Sequence, residues 1–161
     1  MLILGVDPGS LRTGYGAVAT EGRHHSLVEK GAIVPPRKAP LPERLRHIHA
    51  GISAVIDRLH PDVLAVEDVF HAVNTRTALV LGHVRGVVLL AGSEAGLAVH
   101  EFPPATVKQQ VTGFGRAEKA QVGFMVAQIL GLPDTTEAGD ATDALAVALC
   151  LACLQPAPVP S

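Results

Sequence analysis

Five acidic side chains stand where strands should end or a helix should begin, and their placement suits cleavage of a phosphodiester bond. Asp7 closes an apolar run in Gly5-Val-Asp-Pro-Gly-Ser, and Glu67 and Asp68 close another in Val63-Leu-Ala-Val-Glu-Asp. Asp140 and Asp143 open a long apolar segment. A spacing of three puts both on one face of a helix. Hydrolysis by two divalent ions needs such a set. The ions sit about 3.5–4 Å apart, one activating water and one stabilising the leaving oxygen, and hard carboxylates bridge them. Each acid alone has a plainer account. Asp-Pro-Gly is an ordinary turn, two acids in a first helical turn complement its dipole, and Glu-Asp suits a solvated strand end. Alternation leaves open which of Glu67 and Asp68 would face a site. What favours the joint reading is that all three segments end where one cleft would form.

Other reactive residue types point nowhere comparable. Cys150 and Cys153 form a C-x-x-C inside an unbroken apolar run, with no Gly, Pro or second Cys/His pair beside it. They are expected to be small buried or half-buried hydrophobes. The eight His residues are scattered without metal-type pairing. His47 and His49, two apart on a predicted helix, would diverge.

The elements that must position the acids follow from two periodicities. Residues 2–7, 14–20 and 25–34 are short, rich in Val, Ile and Leu, and separated by Gly-containing turns, so they are expected to form a three-strand antiparallel meander. A Pro-rich break leads into a helix, where Leu41, Leu45, Ile48, Ile52, Val55, Ile56 and Leu59 hold helical spacing up to Pro61. Residues 62–68 read as a buried central strand. A helix over about 75–92, a strand over 97–102 and helices over 105–111, 117–130 and 140–154 complete the expectation. Strands in this order predict an α/β fold of the RNase H-like kind: a mixed five-stranded sheet, the meander plus two parallel strands, flanked by helices. Ligands of such sheets gather beyond the carboxyl ends of the parallel strands, where these acids lie. One nuclease domain over 1–154 and a disordered Pro-rich tail over 155–161 are expected.

Composition limits the classes. The chain has 161 residues, 48 % hydrophobic and 17 % charged, a profile of a packed core rather than disorder. No N-terminal signal pattern is present, and the apolar stretch 78–91 is broken by His83 and Arg85, so a cytoplasmic protein without membrane spans is expected. Net charge is −2, from 13 basic and 15 acidic residues. With four acids committed to metal, 15 − 4 = 11 remain against 13, a balance of +2. Whole-chain charge therefore does not exclude a nucleic acid.

Several blocks together are specific. Ile3-Leu-Gly-Val-Asp-Pro-Gly-Ser, Thr13-Gly-Tyr-Gly, Val66-Glu-Asp-Val-Phe, Asn74, Leu81-Gly-His-Val-Arg-Gly, the run from Val107 through Gly-Phe-Gly-Arg-Ala-Glu-Lys to Val122, and Asp140-Ala-Thr-Asp-Ala-Leu-Ala stand in order over residues 2 to 150. In this the chain resembles the RuvC family of bacterial Holliday-junction resolvases. The resemblance implies catalytic, metal-holding carboxylates at Asp7, Glu67, Asp140 and Asp143, with Asp7 bridging two Mg2+ ions (Mn2+ being the alternative). It implies attack by an activated water on a backbone phosphate of a four-way DNA junction, leaving a 5′-phosphate and a 3′-hydroxyl. It also implies a homodimer that nicks two opposed strands symmetrically and works with a branch-migration helicase complex of the RuvA–RuvB type.

Lys119, near a helix start, and Lys108, on the preceding helix, read from position alone as solvated lysines. The resemblance puts them on phosphates beside the metals, Lys119 with a part in catalysis. Arg76 and Arg116 are further phosphate candidates without that support. Phe70 follows Glu67 by three residues in an aromatic-poor chain. It reads equally as a core anchor or as a ring stacking on an unpaired base, and the resemblance favours stacking. The helix carrying Leu79, Gly82, Gly86 and Leu90 is apolar on more than one face, which asks for a second partner. Asp7-Pro-Gly-Ser with Thr13-Gly also resembles the phosphate loop of actin-like ATPases, which need two such domains where this chain has room for one. A non-catalytic junction-binding or RNA-processing module on the same fold would lack a carboxylate, and here all four are present.

Overall fold

The computed structural model describes residues 1–68, 74–133 and 139–155. Its strands are β1 (Leu2–Asp7), β2 (Thr13–Glu21), β3 (His24–Ile33), β4 (Val63–Glu67) and β5 (Ala98–Phe102). Its helices are α1 (Leu41–Leu59), α2 (Thr75–Glu94), α3 (Pro104–Thr112), α4 (Lys119–Leu130) and α5 (Asp140–Leu154). The strands form one sheet in the order β3-β2-β1-β4-β5. β1 pairs antiparallel with β2 and β2 with β3, while β4 runs parallel to both β1 and β5. This is the expected meander with two parallel strands added beside β1.

Alternation along the central strands divides the core in two. Leu4, Val6, Leu64 and Val66 pack with Ile48, Ile52, Val84 and Val88 of α1 and α2. Ile3, Val63 and Ala65 face the other way, onto α3, α4 and α5. Residues 144–152 of α5 are all buried, which explains a segment apolar on every side. α5 can lie this deep because β1 and β2 offer a floor of glycine. A Cβ at Gly5 would stand 2.1 Å from the Ala144 carbonyl oxygen, and one at Gly14 would stand 2.1 Å from that of Asp140. Backbone-to-backbone contact of this closeness leaves no room for a side chain.

Two boundaries differ from expectation for physical reasons. α2 continues past Gly92 to Glu94, because Gly92 is there for packing rather than for stopping. A Cβ on it would meet Leu64 at 2.6 Å. The chain turns instead at Gly96, where φ is +71°. α4 starts at Lys119 rather than at 117. Ala117 belongs to a turn, its N–H donating to the Phe114 carbonyl, and Glu118 caps the helix, its N–H donating to the Gln121 side chain at 2.8 Å. The cysteines also differ from each other. Cys150 is buried, and burial pushes its thiol up to about 12, whereas Cys153, expected to be buried or half-buried, is exposed.

Candidate active site

Odd-numbered positions of β1 and β4 point towards α5, so Asp7 at the end of β1 and Glu67 at the end of β4 emerge on the same face. Asp68, one residue on, falls on the opposite face. There it pairs with Arg85 of α2 at 3.4 Å, and Arg85 also binds Glu101 of β5. The geometry thus separates the two consecutive acids. Asp140 and Asp143 occupy the first turn of α5, one turn apart. The glycine floor brings that turn down onto the sheet, Gly14 lying opposite Asp7 in the β1–β2 ladder and directly beneath Asp140.

One carboxylate oxygen from each of Asp7, Asp140 and Asp143 lies within 4.8 Å of the other two. Glu67 is hydrogen-bonded side chain to side chain with Asp7. The electrostatic consequence is pronounced. Burial first, and then the charge of Asp143, push the Asp7 carboxyl up from 3.8 to about 6. Burial and then the charge of Asp7 push Glu67 up from 4.5 to about 8. Partly desolvated like charges resist ionising together. Hard oxygen donors in a converging set, short of positive charge, are what a divalent cation of the magnesium class requires, so the residues present fit such an ion.

Cationic groups flank the acids. The Lys119 ammonium, first residue of α4, is 2.6 Å from Asp143, whose hydrogen bond holds its proton more firmly than usual. Lys108 of α3 lies close enough to Glu67 for its charge to favour ionisation there. Both lysines line a cleft of about 230 Å³ together with Glu67, Asp143, Pro104 and Val122. The structure therefore brings six of the expected site residues together: four acids and two lysines. Arg76 and Arg116 are exposed, lie outside the lining of this cleft and form no ion pair among the described residues. Phe70 and the neighbouring His71 lie outside the described residues, as does most of the expected tail. One basic residue carries no sequence signal beyond its place in the loop after a strand-ending acid. Arg12 donates through Nε to Asp140 at 2.9 Å across 128 residues of chain.

Comparisons with known proteins agree on one family. The family model for "Crossover junction endodeoxyribonuclease RuvC" matches residues 3–151. The RuvC protein of Citrifermentans bemidjiense is 49 % identical over 150 residues, covering 93 % of this chain and 91 % of that protein. The RuvC protein of Chloroflexus aurantiacus is 46 % identical over 156 residues, covering 97 % and 95 %. Among solved structures, Thermus thermophilus RuvC in complex with Holliday junction substrate superposes with a TM-score of 0.88 at 37 % identity, covering 94 % of this chain and 93 % of that one.

Proposed function

The chain belongs to the RuvC family of crossover junction endodeoxyribonucleases, with the RNase H-like fold of its resolvases, and from that premise we propose how its own residues perform the reaction. It is an endonuclease that resolves Holliday junctions in DNA recombination and repair. Asp7, Glu67, Asp140 and Asp143 are its catalytic carboxylates. The observation that carries this assignment is their convergence: three oxygens within 4.8 Å of one another, with Glu67 bonded to Asp7. Two divalent ions bound there, Mg2+ with Mn2+ as the alternative, would supply an activated water and neutralise charge on the leaving oxygen.

The protein's part is positioning and charge. Asp7, Glu67, Asp140 and Asp143 would hold the ions, and Asp7, which Glu67 and both α5 acids influence, would be the ligand they share. Positive charge at the cluster would favour the ionised forms of Asp7 and Glu67, because it would offset the burial and the repulsion that raise both carboxyls. Lys119 and Lys108 hold the backbone phosphate on the cleft side of the acids, and Lys119 also limits the negative charge that meets the incoming DNA. Phosphate contacts supply most of the affinity without reading sequence. Arg76 and Arg116 extend this set on the outer surface, and Phe70 stacks on a base at the branch point. Strand cleavage leaves a 5′-phosphate and a 3′-hydroxyl.

A homodimer matches the approximate two-fold symmetry of a four-way junction and lets two opposed strands be nicked alike. The face available for it is on α2. Leu79 is 61 % and Leu90 50 % exposed, and a Cβ at Gly82 or Gly86 would meet nothing within 4 Å. By length and composition α2 could also cross a membrane. Arg85 at its middle is committed to Asp68 and Glu101, however, and its other side packs on the sheet, so the dimer is the better partner. The site of action is the cytoplasm, in company with a branch-migration helicase complex of the RuvA–RuvB type.

The test is incubation with a synthetic four-way junction, plain duplex and single strand, with and without Mg2+. Paired symmetric nicks in the junction alone, dependent on the metal, are expected. Equal cutting of duplex, or cutting in chelator, would refute the assignment.

A further inference from the structure

Arg12 stands in the loop that joins β1 to β2, five residues after Asp7, and reaches the first turn of α5. The loop is braced from within and from outside. The Thr13 hydroxyl, fully buried, donates to the Gly9 carbonyl at 2.8 Å and accepts from the Gly9 N–H at 3.3 Å. A Cβ at Gly9 would stand 2.0 Å from the Arg12 carbonyl oxygen, so the loop folds tightly over itself. Arg44 of α1 donates to the Ser10 carbonyl from the far side. A short segment held at three points projects Arg12 from a defined base.

The way Arg12 binds Asp140 bears on its use. Only Nε makes the bond, and neither terminal amino group has a partner among the described residues. The side chain is 58 % exposed. A solvated pair of this kind contributes little to stability, so its value to the fold is small. What it does accomplish is orientation: Asp140 tethers the guanidinium through Nε and leaves both terminal amino groups available to another ligand. That fork matches the oxygens of a phosphate two at a time. Lys119 makes the corresponding pair with Asp143 in the same first turn of α5, so each α5 acid carries one cation.

We propose that Arg12 binds a DNA backbone phosphate beside the carboxylate cluster, with Asp140 as its positioning partner. The proposal rests on the nuclease reading of the cluster and adds to it a substrate contact from the β1–β2 loop. Replacing the guanidinium should remove about one phosphate neutralisation, whatever the base sequence.

The experiment measures affinity of the full chain for a fluorescent four-way junction in chelator, over a series of salt concentrations, for unmodified protein, Arg12→Ala and Arg12→Lys. Binding of Mg2+ without DNA is read in parallel from the shift in melting temperature. Arg12→Ala should weaken junction binding roughly three- to tenfold at low salt and flatten the log–log salt slope by about 0.9. Arg12→Lys should keep the slope, since the charge remains, and recover part of the affinity, since the fork is lost. Mg2+ binding should be as tight as before or tighter, because a competing cation has left Asp140. An unchanged slope in Arg12→Ala would overturn the proposal. So would a loss of Mg2+ binding in that variant, which would make Arg12 an organiser of Asp140 and not a phosphate ligand. If the unmodified protein failed to bind or cut junctions, the nuclease reading itself would fall, a result separate from either outcome at Arg12.

Discussion

Asp7→Asn should stabilise the chelated protein at alkaline pH while destroying its activity, and the size of the effect follows from the site. Asp7 titrates at about 6 in the folded chain against an ordinary value of 3.8. The folded state therefore holds the proton more tightly than the unfolded state does. Below 3.8 both states are protonated and Asp7 costs the fold nothing. Between 3.8 and about 6 stability falls as pH rises, and above about 6 the full cost is present. A difference of about 6 − 3.8 ≈ 2 in pKa corresponds to about 3 kcal/mol at most. Asn keeps the shape and carries no charge, so the variant escapes this cost. With a chelator at pH 8.5, Asp7→Asn should gain about 1–3 kcal/mol, or roughly 2–10 °C in melting temperature for a chain of this size. At pH 4 the two proteins should melt nearly together. Added Mg2+ should raise the melting temperature of the unmodified protein far more than that of the variant, closing or reversing the gap. Junction cleavage by the variant should be undetectable while junction binding persists. A variant that melts lower than the unmodified protein at pH 8.5 in chelator, or a gap that does not change with pH, would refute the electrostatic account. Efficient cleavage by it in Mg2+ would refute the role of the carboxylate.

Consecutive acids should separate cleanly: Glu67→Gln should abolish Mg2+-dependent stabilisation, whereas Asp68→Asn should leave it within a few degrees of normal, both read by thermal melting with and without the ion. Gly14→Ala should push α5 off the sheet at Asp140, costing about 1–3 kcal/mol and more cleavage than the loss of folded protein explains, as measured by cleavage per folded molecule. Gly86→Leu should leave the melting temperature of dilute protein nearly unchanged, since open space surrounds that position, yet shift a dimer towards monomer in sedimentation. A monomeric unmodified protein at micromolar concentration would remove α2 as the interface. Phe70→Ala should slow junction cleavage at least tenfold while Phe70→Trp retains most of it, because stacking one base is worth about 1–3 kcal/mol. A fall of several degrees in the melting temperature of Phe70→Ala, with activity lost in proportion, would make Phe70 a core anchor instead.

Sequence patterns carried the element order, the strand directions and the positions of the acids almost to the residue, because each is a local property. Period-two and period-3.6 apolar spacing mark strands and helices, and an acid after an apolar run marks where a strand leaves the core. What was illegible is what depends on contact between distant segments. Gly92 looks like a helix stop when it is a seat for Leu64. Glu67 and Asp68 are equivalent in sequence. Only the register of β4 against β1, which places Ala65 beside Gly5, decides which one turns towards α5. Arg12 was silent for the same reason, its partner lying 128 residues away.

The same register explains how a cluster of repelling carboxylates can exist on a small fold. Asp7 and Glu67 are fixed by strands whose other side chains, Val6 and Val66, are fully buried on the opposite face, so neither acid can swing away without breaking a core. Asp140 and Asp143 are fixed by a helix buried for most of its length, seated on glycine. Repulsion within the cluster is therefore opposed by hydrophobic burial elsewhere, and it emerges as raised carboxyl pKa values rather than as movement. Such preorganisation favours an incoming cation, because the ligands need no rearrangement and the charge they lack is supplied at once. It also ties the site to its surroundings. Asp68 leaves β4 on the far side and engages Arg85 of α2, so one strand end holds a proposed catalytic carboxylate on one face and the proposed dimer helix on the other. Cutting that tie with Arg85→Met should loosen α2 from the sheet. If the strand end transmits the constraint, kcat for junction cleavage should fall while the apparent affinity for junction in chelator stays within about twofold. An equal loss of both would show that Arg85 supports only the general stability of the fold.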